Sequence, residues 1–210
     1  MNKEHFFKIC GYVLFAFWII SSIIHLKYSG ASTLFWFCNI SVAILAVACF
    51  ERSLTLVYFI LAQSLFFQSP WVIDWLLYFT TGFSFFNLVS FYEGLPVYFM
   101  MLTFIRHTIT IPLCIIFLFL LKPRIPTKWA VLLWMFGTIG LLIFSYVLSI
   151  QALYAVNINC ATYFCASGFI DLGTGLGYLA LWGLIVMVVS LFSLYVLVLP
   201  LHRVIMKHSL

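Results

Sequence analysis

Long apolar runs, separated by short polar stretches, make up most of the chain. Five runs are long enough to predict membrane-spanning helices: Lys8–His25, Thr33–Phe50, Val97–Leu121, Ala130–Val156 and Thr174–Leu199. About 20 consecutive apolar residues cross the hydrocarbon core of a bilayer as a helix. The pattern therefore predicts an all-α, polytopic transmembrane bundle.

The region between the second and third of these runs fits two span counts. Apolar character continues from Leu54 to Tyr92, but Pro70 interrupts it. In a six-span topology, Leu54–Phe79 is one helix kinked at Pro70, because proline removes a backbone hydrogen bond. Thr80–Pro96 is then a segment that lies at the outer face or re-enters it. If both pieces cross the membrane separately, the chain has seven spans.

The placement of basic residues favours six spans. With Arg106 set aside as intramembrane, the six-span topology puts eight basic residues on one side, opposite Lys27 alone. These eight are Lys3, Lys8, Arg52, Lys122, Arg124, Lys128, Arg203 and Lys207. The seven-span topology divides the same residues six to three. The positive-inside rule therefore predicts six spans with both termini cytoplasmic.

Composition narrows the class of protein further. The chain is 66% hydrophobic and 7% charged, whereas soluble domains are about 25% charged. Apolar runs continue to residue 199, unlike a secretory signal followed by a polar chain. We expect one transmembrane domain over residues 1–210, in an inner or plasma membrane. The net charge of +5 comes from basic residues placed singly near span ends, so it does not indicate nucleic-acid binding.

Two adjacent ionisable residues lie inside the span Val97–Leu121. Arg106 and His107 are near its middle, about 15 Å from the outer end at 1.5 Å per residue. A cation at that depth costs at least about 2.5–3.5 kcal/mol, so such residues indicate a functional site. Of the five histidines, His107 is the one deep inside an apolar run. It is the candidate general base.

Other spans carry polar side chains at similar depth in the six-span topology. Cys38 and Asn39 lie about 9–10 Å below the outer end of the second span. Asn157 and Asn159 lie at the outer end of the fifth, a convergence that the seven-span topology would remove. A thiol and an imidazole can act as nucleophile and base in acyl transfer. Asn39 is a candidate donor to the oxyanion.

Arg106 requires a negative partner in this environment. Asp74 or Glu93 could supply it within the chain, and a lipid phosphate could supply it from outside. Thr103 and Thr110 lie near His107 on the same helix face. The candidate substrate-binding residues are therefore Arg106, Asp74, Thr103 and Thr110.

Each feature also has a purely structural interpretation. Cys38 could be packing, His107 could bond a neighbouring helix, and Arg106 could form an ion pair with Asp74. Cys160 and Cys165 are a candidate disulfide in the loop predicted to lie outside. Four residues between two cysteines, with no histidine nearby, do not indicate a metal site. No cofactor is expected, and membrane lipids are the expected partners.

Three short motifs give the chain a resemblance to a known family. They are Trp36-Phe37-Cys38-Asn39, Gln68-Ser69-Pro70-Trp71 followed by Asp74, and Arg106-His107 followed by Pro112. In this order the chain resembles the YwaF-type six-span membrane proteins. These are distantly grouped with transmembrane O-acyltransferase-like proteins and androgen-induced-type fatty-acid-ester hydrolases.

The resemblance implies acyl chemistry inside the membrane, with a Cys or Thr nucleophile and a histidine. His107 matches the histidine of the fourth span, and Cys38 matches the nucleophile of the second. We therefore expect lipid acyl transfer or ester hydrolysis in an outer cavity. The alternatives are a non-enzymatic binding or transport protein for an amphipathic ligand and an assembly subunit of a membrane complex.

Overall fold

A computed structural model of the chain describes residues 2–30, 34, 36–85, 89, 94–121, 128–150, 175–198, 200 and 204. The regular elements in these ranges are all helical, which confirms the predicted helical bundle. They are α1 (Lys3–Ser29), α2 (Phe37–Glu51), α3 (Leu54–Phe67), α4 (Ser69–Thr81), α5 (Val97–Leu121), α6 (Lys128–Ile150) and α7 (Gly175–Phe192). A short π-helix, Ser193–Val198, continues α7.

Length and composition identify the helices that could cross a bilayer. Within the described ranges, α1 and α5 are each long and apolar enough to do so. The pair α3 and α4 passes the same test when taken together, which makes three. Helix α5 has the bounds of the predicted apolar run, while α1 begins before the predicted Lys8 and ends beyond His25.

The turn between α2 and α3 is tight. Arg52 adopts a left-handed conformation with φ of 49° and ends α2. Ser53 then caps α3 by accepting a hydrogen bond from the backbone N–H of Leu56 at 3.4 Å. Because two residues join the helices, α2 and α3 are antiparallel neighbours, as expected for a short helix–helix connection.

The break between α3 and α4 lies beside Pro70. Residues Leu54–Leu65 and Ser69–Thr81 are inclined by 46°. Pro70 stands in the first turn of α4, where a helix tolerates the missing N–H. Gln68 donates its backbone N–H to Ser64, and Val72 donates to Gln68, so backbone bonding continues across the break.

The segment after α4 also contacts the bundle where the structure describes it. Gly82, with φ of 72°, ends α4. Val89 is 1% exposed and belongs to a buried cluster with Trp71, Trp75 and Phe99. The described part of the segment predicted to re-enter or lie at the outer face thus packs on α4 and α5.

A separate apolar cluster fills the other half of the bundle. Its buried members include Phe7, Leu14, Val42, Leu45, Val57, Ile60, Cys114, Phe117 and Leu118. The rings of Phe7 and Phe117 are 5.4 Å apart, which joins α1 to α5. Large apolar side chains such as Tyr12, Val97 and Phe136 are exposed on the outside, as expected of a bundle surrounded by lipid.

Candidate functional site

Helices α1 to α5 contribute a set of buried polar side chains, several of which contact one another. We call this set the polar layer: Ser22, His25, Cys38, Asn39, Ser41, Ser64, Gln68, Asp74, Thr103, Arg106, His107 and Thr110. None of them is more than 8% exposed. Burying so many polar groups is unfavourable unless they bond one another or serve a function.

The orientation of His107 is fixed by its own helix. Its Nδ1 lies 2.8 Å from the backbone carbonyl oxygen of Thr103. A carbonyl oxygen only accepts, so Nδ1 carries the proton and donates it. In the neutral ring, Nε2 then keeps a lone pair available for a proton or a donor. The indole of Trp71 stacks on this ring, with centroids 4.9 Å apart and planes inclined by 25°.

Arg106 is bonded to a histidine that sequence reasoning missed. Its Nη2 donates to Nε2 of His25, a residue near the end of α1. The hydroxyl of Thr103 lies 3.3 Å from the same nitrogen, and the ring of Phe99 meets the imidazole edge-on at 4.4 Å. His25 is 2% exposed and Arg106 is 3% exposed. These contacts join α1 to α5 at the level of His107.

Asp74, one of the two candidate carboxylate partners of Arg106, forms no ion pair with it. Within the described part of the chain, the one ion pair joins Lys8 to Glu4 at 2.9 Å. Oδ2 of Asp74 instead accepts a hydrogen bond from the hydroxyl of Ser84 at 2.6 Å. The physical reason is the position of Asp74 on α4, where the residues after the helix fold back onto it.

Cys38 and Asn39 lie in the first turn of α2, inside the polar layer. The side chain of Cys38 is buried, with 8% of it exposed. Oδ1 of Asn39 accepts a hydrogen bond from the hydroxyl of Ser22 at 3.4 Å. Among the described residues, no hydrogen bond joins Cys38 to His107. The candidate nucleophile and base therefore lie in the same layer without a hydrogen bond between them.

Gln68, at the break between α3 and α4, connects α2, which carries Cys38, to the helix that packs on His107. Nε2 of Gln68 donates to Oγ of Ser41 at 2.9 Å, and Ser41 donates to the carbonyl oxygen of Cys38 at 3.0 Å. Three residues after Gln68, Trp71 stacks on His107. Oε1 of Gln68 is buried and has no hydrogen-bond partner among the described residues.

The two threonines predicted to line the site bond to α5 itself. The hydroxyl of Thr103 donates to Phe99 O at 3.0 Å, and that of Thr110 donates to Arg106 O at 3.0 Å. Both are buried. Thr103 additionally contacts His25, so of the two it is the one that faces α1.

Several predicted residues lie outside the described residues. They are Glu93, Asn157, Asn159, Cys160 and Cys165. Within the described ranges, no group of three or more His, Cys, Asp or Glu side chains could hold a metal ion.

His25 was missed because it stands at the end of a predicted span, close to Lys27, where a histidine reads as interfacial. A signal was nevertheless present. Ser21, Ser22 and His25 are three to four residues apart, so they lie on one face of a helix. All three are buried.

No family model, curated protein or solved structure matches the chain.

Proposed function

We propose that the protein cleaves or transfers the acyl group of a membrane lipid within the polar layer. The observation that carries this proposal is the fixed orientation of His107. Its Nδ1 bond to Thr103 leaves Nε2 with a lone pair, in a buried position that also excludes bulk water. A neutral imidazole held in one tautomer is what a general base requires.

In this reaction Nε2 of His107 removes the proton of the Cys38 thiol, and the thiolate attacks the ester carbonyl carbon. A C–S bond forms, the ester C–O bond breaks, and the leaving alkoxide takes the proton from His107. A water or a second alcohol, deprotonated by His107, then attacks the thioester and regenerates the thiol. Asn39 donates to the oxyanion.

Substrate binding brings Cys38 and His107 together in this proposal. Catalytic hydrogen bonds often form or tighten only when the substrate is present. The lipid carbonyl lies between α2 and α5 and completes the contact that the two side chains lack by themselves.

We further propose the six-span topology, with both termini cytoplasmic and α3 and α4 forming one span bent at Pro70. The 46° bend beside Pro70 and the eight-to-one distribution of basic residues support it. The resemblance to YwaF-type proteins, through Trp36–Asn39, Gln68–Trp71 and Arg106-His107, supports the same count and the same chemistry.

The test is ester turnover by the full chain in phosphatidylcholine nanodiscs, with a fluorogenic long-chain acyl ester. His107→Ala should reduce turnover by about 10²–10⁴-fold, the usual contribution of a general base. Cys38→Ser should abolish an acyl adduct that hydroxylamine cleaves at neutral pH, as it cleaves thioesters.

Two control variants are available, one for each tested residue type. Cys49→Ser alters a buried cysteine of α2 in the apolar cluster, and His5→Ala alters an exposed histidine of α1. Both should retain turnover and the adduct. Unchanged turnover in a correctly inserted His107→Ala protein would end the enzymatic proposal.

A second candidate is a protein that binds an amphipathic lipid without chemistry. The separation of Cys38 from His107 among the described contacts favours it. Saturable lipid binding without turnover or adduct would select this candidate.

A further inference from the structure

Arg106 is a buried cation whose charge is met by no carboxylate in the described part of the chain. The one ion pair there, Lys8 with Glu4, lies at the other end of α1. Asp74, the expected partner, contacts Ser84 instead. Among the described residues, the guanidinium of Arg106, which is 3% exposed on α5, therefore has no counter-charge.

His25 orients Arg106 without neutralising it. A guanidinium can only donate, so Nε2 of His25 must accept and the imidazole is neutral. Thr103 and Phe99 hold the imidazole from α5. The contact thus fixes the position of the cation and supplies no negative charge.

The Nε donor of the same guanidinium has no acceptor among the described residues. This Nε is fully buried. A buried donor without an acceptor is unfavourable, and so is a buried charge without a counter-charge. A single oxyanion bound at Nε would satisfy both.

We propose that Arg106, held by His25, binds the acidic group of an amphipathic lipid, a carboxylate or a phosphate. This inference rests on the proposed function in that it names the substrate class of the same site. The acidic group lies at the guanidinium, and the acyl chain extends along the bundle. Arg106 and His25 are then substrate-binding and positioning residues, respectively.

The test is binding of cis-parinaric acid, a fluorescent fatty acid, by the full chain in phosphatidylcholine nanodiscs at neutral pH. We expect it to bind at least about tenfold more tightly than its methyl ester, since a charge-assisted hydrogen bond is lost in the ester. Arg106→Gln should remove this preference, and Arg106→Lys should retain part of it. Lys27→Gln, a change of an exposed cation of α1, should leave it intact.

The role of His25 is tested by a conservative pair of variants. His25→Gln keeps an acceptor for the guanidinium and should retain the preference for the acid. His25→Leu removes the acceptor and should reduce it. Equal loss in both variants, with both proteins monodisperse, would overturn the positioning role.

Competition distinguishes the two sources of the oxyanion. Replacing a third of the phosphatidylcholine by phosphatidylglycerol should displace the probe if the ligand is the phosphate of an anionic phospholipid, one that carries no choline cation beside it. Displacement by oleate alone identifies the carboxylate. If the wild type binds acid and methyl ester equally, the proposal is wrong.

These results remain separate from the enzymatic test. A preference for the acid without ester turnover would support the oxyanion site and refute the acyl chemistry. Turnover without that preference would do the reverse.

Discussion

Helices α1, α2 and α5 each contribute to two different buried regions, the apolar cluster and the polar layer. In α1, α2 and α5, one half of each helix contributes to the apolar cluster and the other half to the polar layer. On α5, Cys114, Phe117 and Leu118 lie in the first, while Thr103, Arg106 and His107 lie in the second. On α2 the change occurs between Ser41 and Val42.

The apolar cluster and the polar layer differ in the kind of contact that they contain. Apolar side chains of complementary shape pack through many small dispersion contacts. The polar layer contains a cation, two histidines and a thiol, and such groups are expensive inside a membrane. We therefore expect the apolar cluster to contribute most of the stability, and we propose the polar layer as the functional site.

The largest effect on stability should come from the apolar cluster. Phe117→Ala removes a ring in contact with Phe7, and we expect a loss of about 3 kcal/mol in the free energy of unfolding. Unfolding in mixed micelles of rising SDS content measures it. Phe119→Ala, two residues along α5 and 52% exposed, is the matched control and should cost much less. If Phe117→Ala instead changed lipid binding and not stability, the division between the two halves would fail.

A smaller effect should come from the contact of α1 with α2. A Cβ added at Gly11 would come within 2.6 Å of the Phe50 ring. Overpacking there should cost about 2 kcal/mol. Helix propensity offsets about 0.5–1 kcal/mol of this cost, so we expect Gly11→Ala to destabilise the protein by about 1 kcal/mol. At Gly140 of α6 a Cβ meets nothing within 4 Å. Gly140→Ala should stabilise by about 0.5–1 kcal/mol through helix propensity. Equal SDS midpoints for the two variants would contradict close packing of α1 on α2.

The smallest effect should come from a buried hydrogen bond. Gln63 of α3 donates to Thr138 of α6. Such bonds in membrane proteins average about 0.6 kcal/mol. A double-mutant cycle of Gln63→Leu with Thr138→Val should give a coupling near this value. Gln63→Leu with Thr80→Val, an exposed residue of α4, should be additive. A coupling of several kcal/mol would mean that polar contacts also hold the bundle together.

The helices were largely predictable because apolar runs determine them directly. Val97–Leu121 is a helix with the predicted bounds, whereas a single span kinked at Pro70 stays a prediction. The burial of His107 and Arg106 follows from their position in that run. The number of helices that cross the membrane stays a prediction. Within the described ranges, α2 and the described apolar parts of α6 and α7 are shorter than the length taken for a span.

The partners of the site residues could not be predicted. His25 is 81 positions from Arg106, and no local pattern links them. The expectation of an ion pair with Asp74 used charge alone, whereas the fold turns Ser84 toward that carboxylate. Charge indicates that a partner is needed, but only packing decides which group supplies it.

The break between α3 and α4 lies beside two contacts of the polar layer. On one side of it Gln68 holds the helix of Cys38 through Ser41, and one turn further Trp71 covers the ring of His107. A change in the 46° angle would shift both contacts at once. The positions of Cys38 and His107 therefore both depend on the break between α3 and α4.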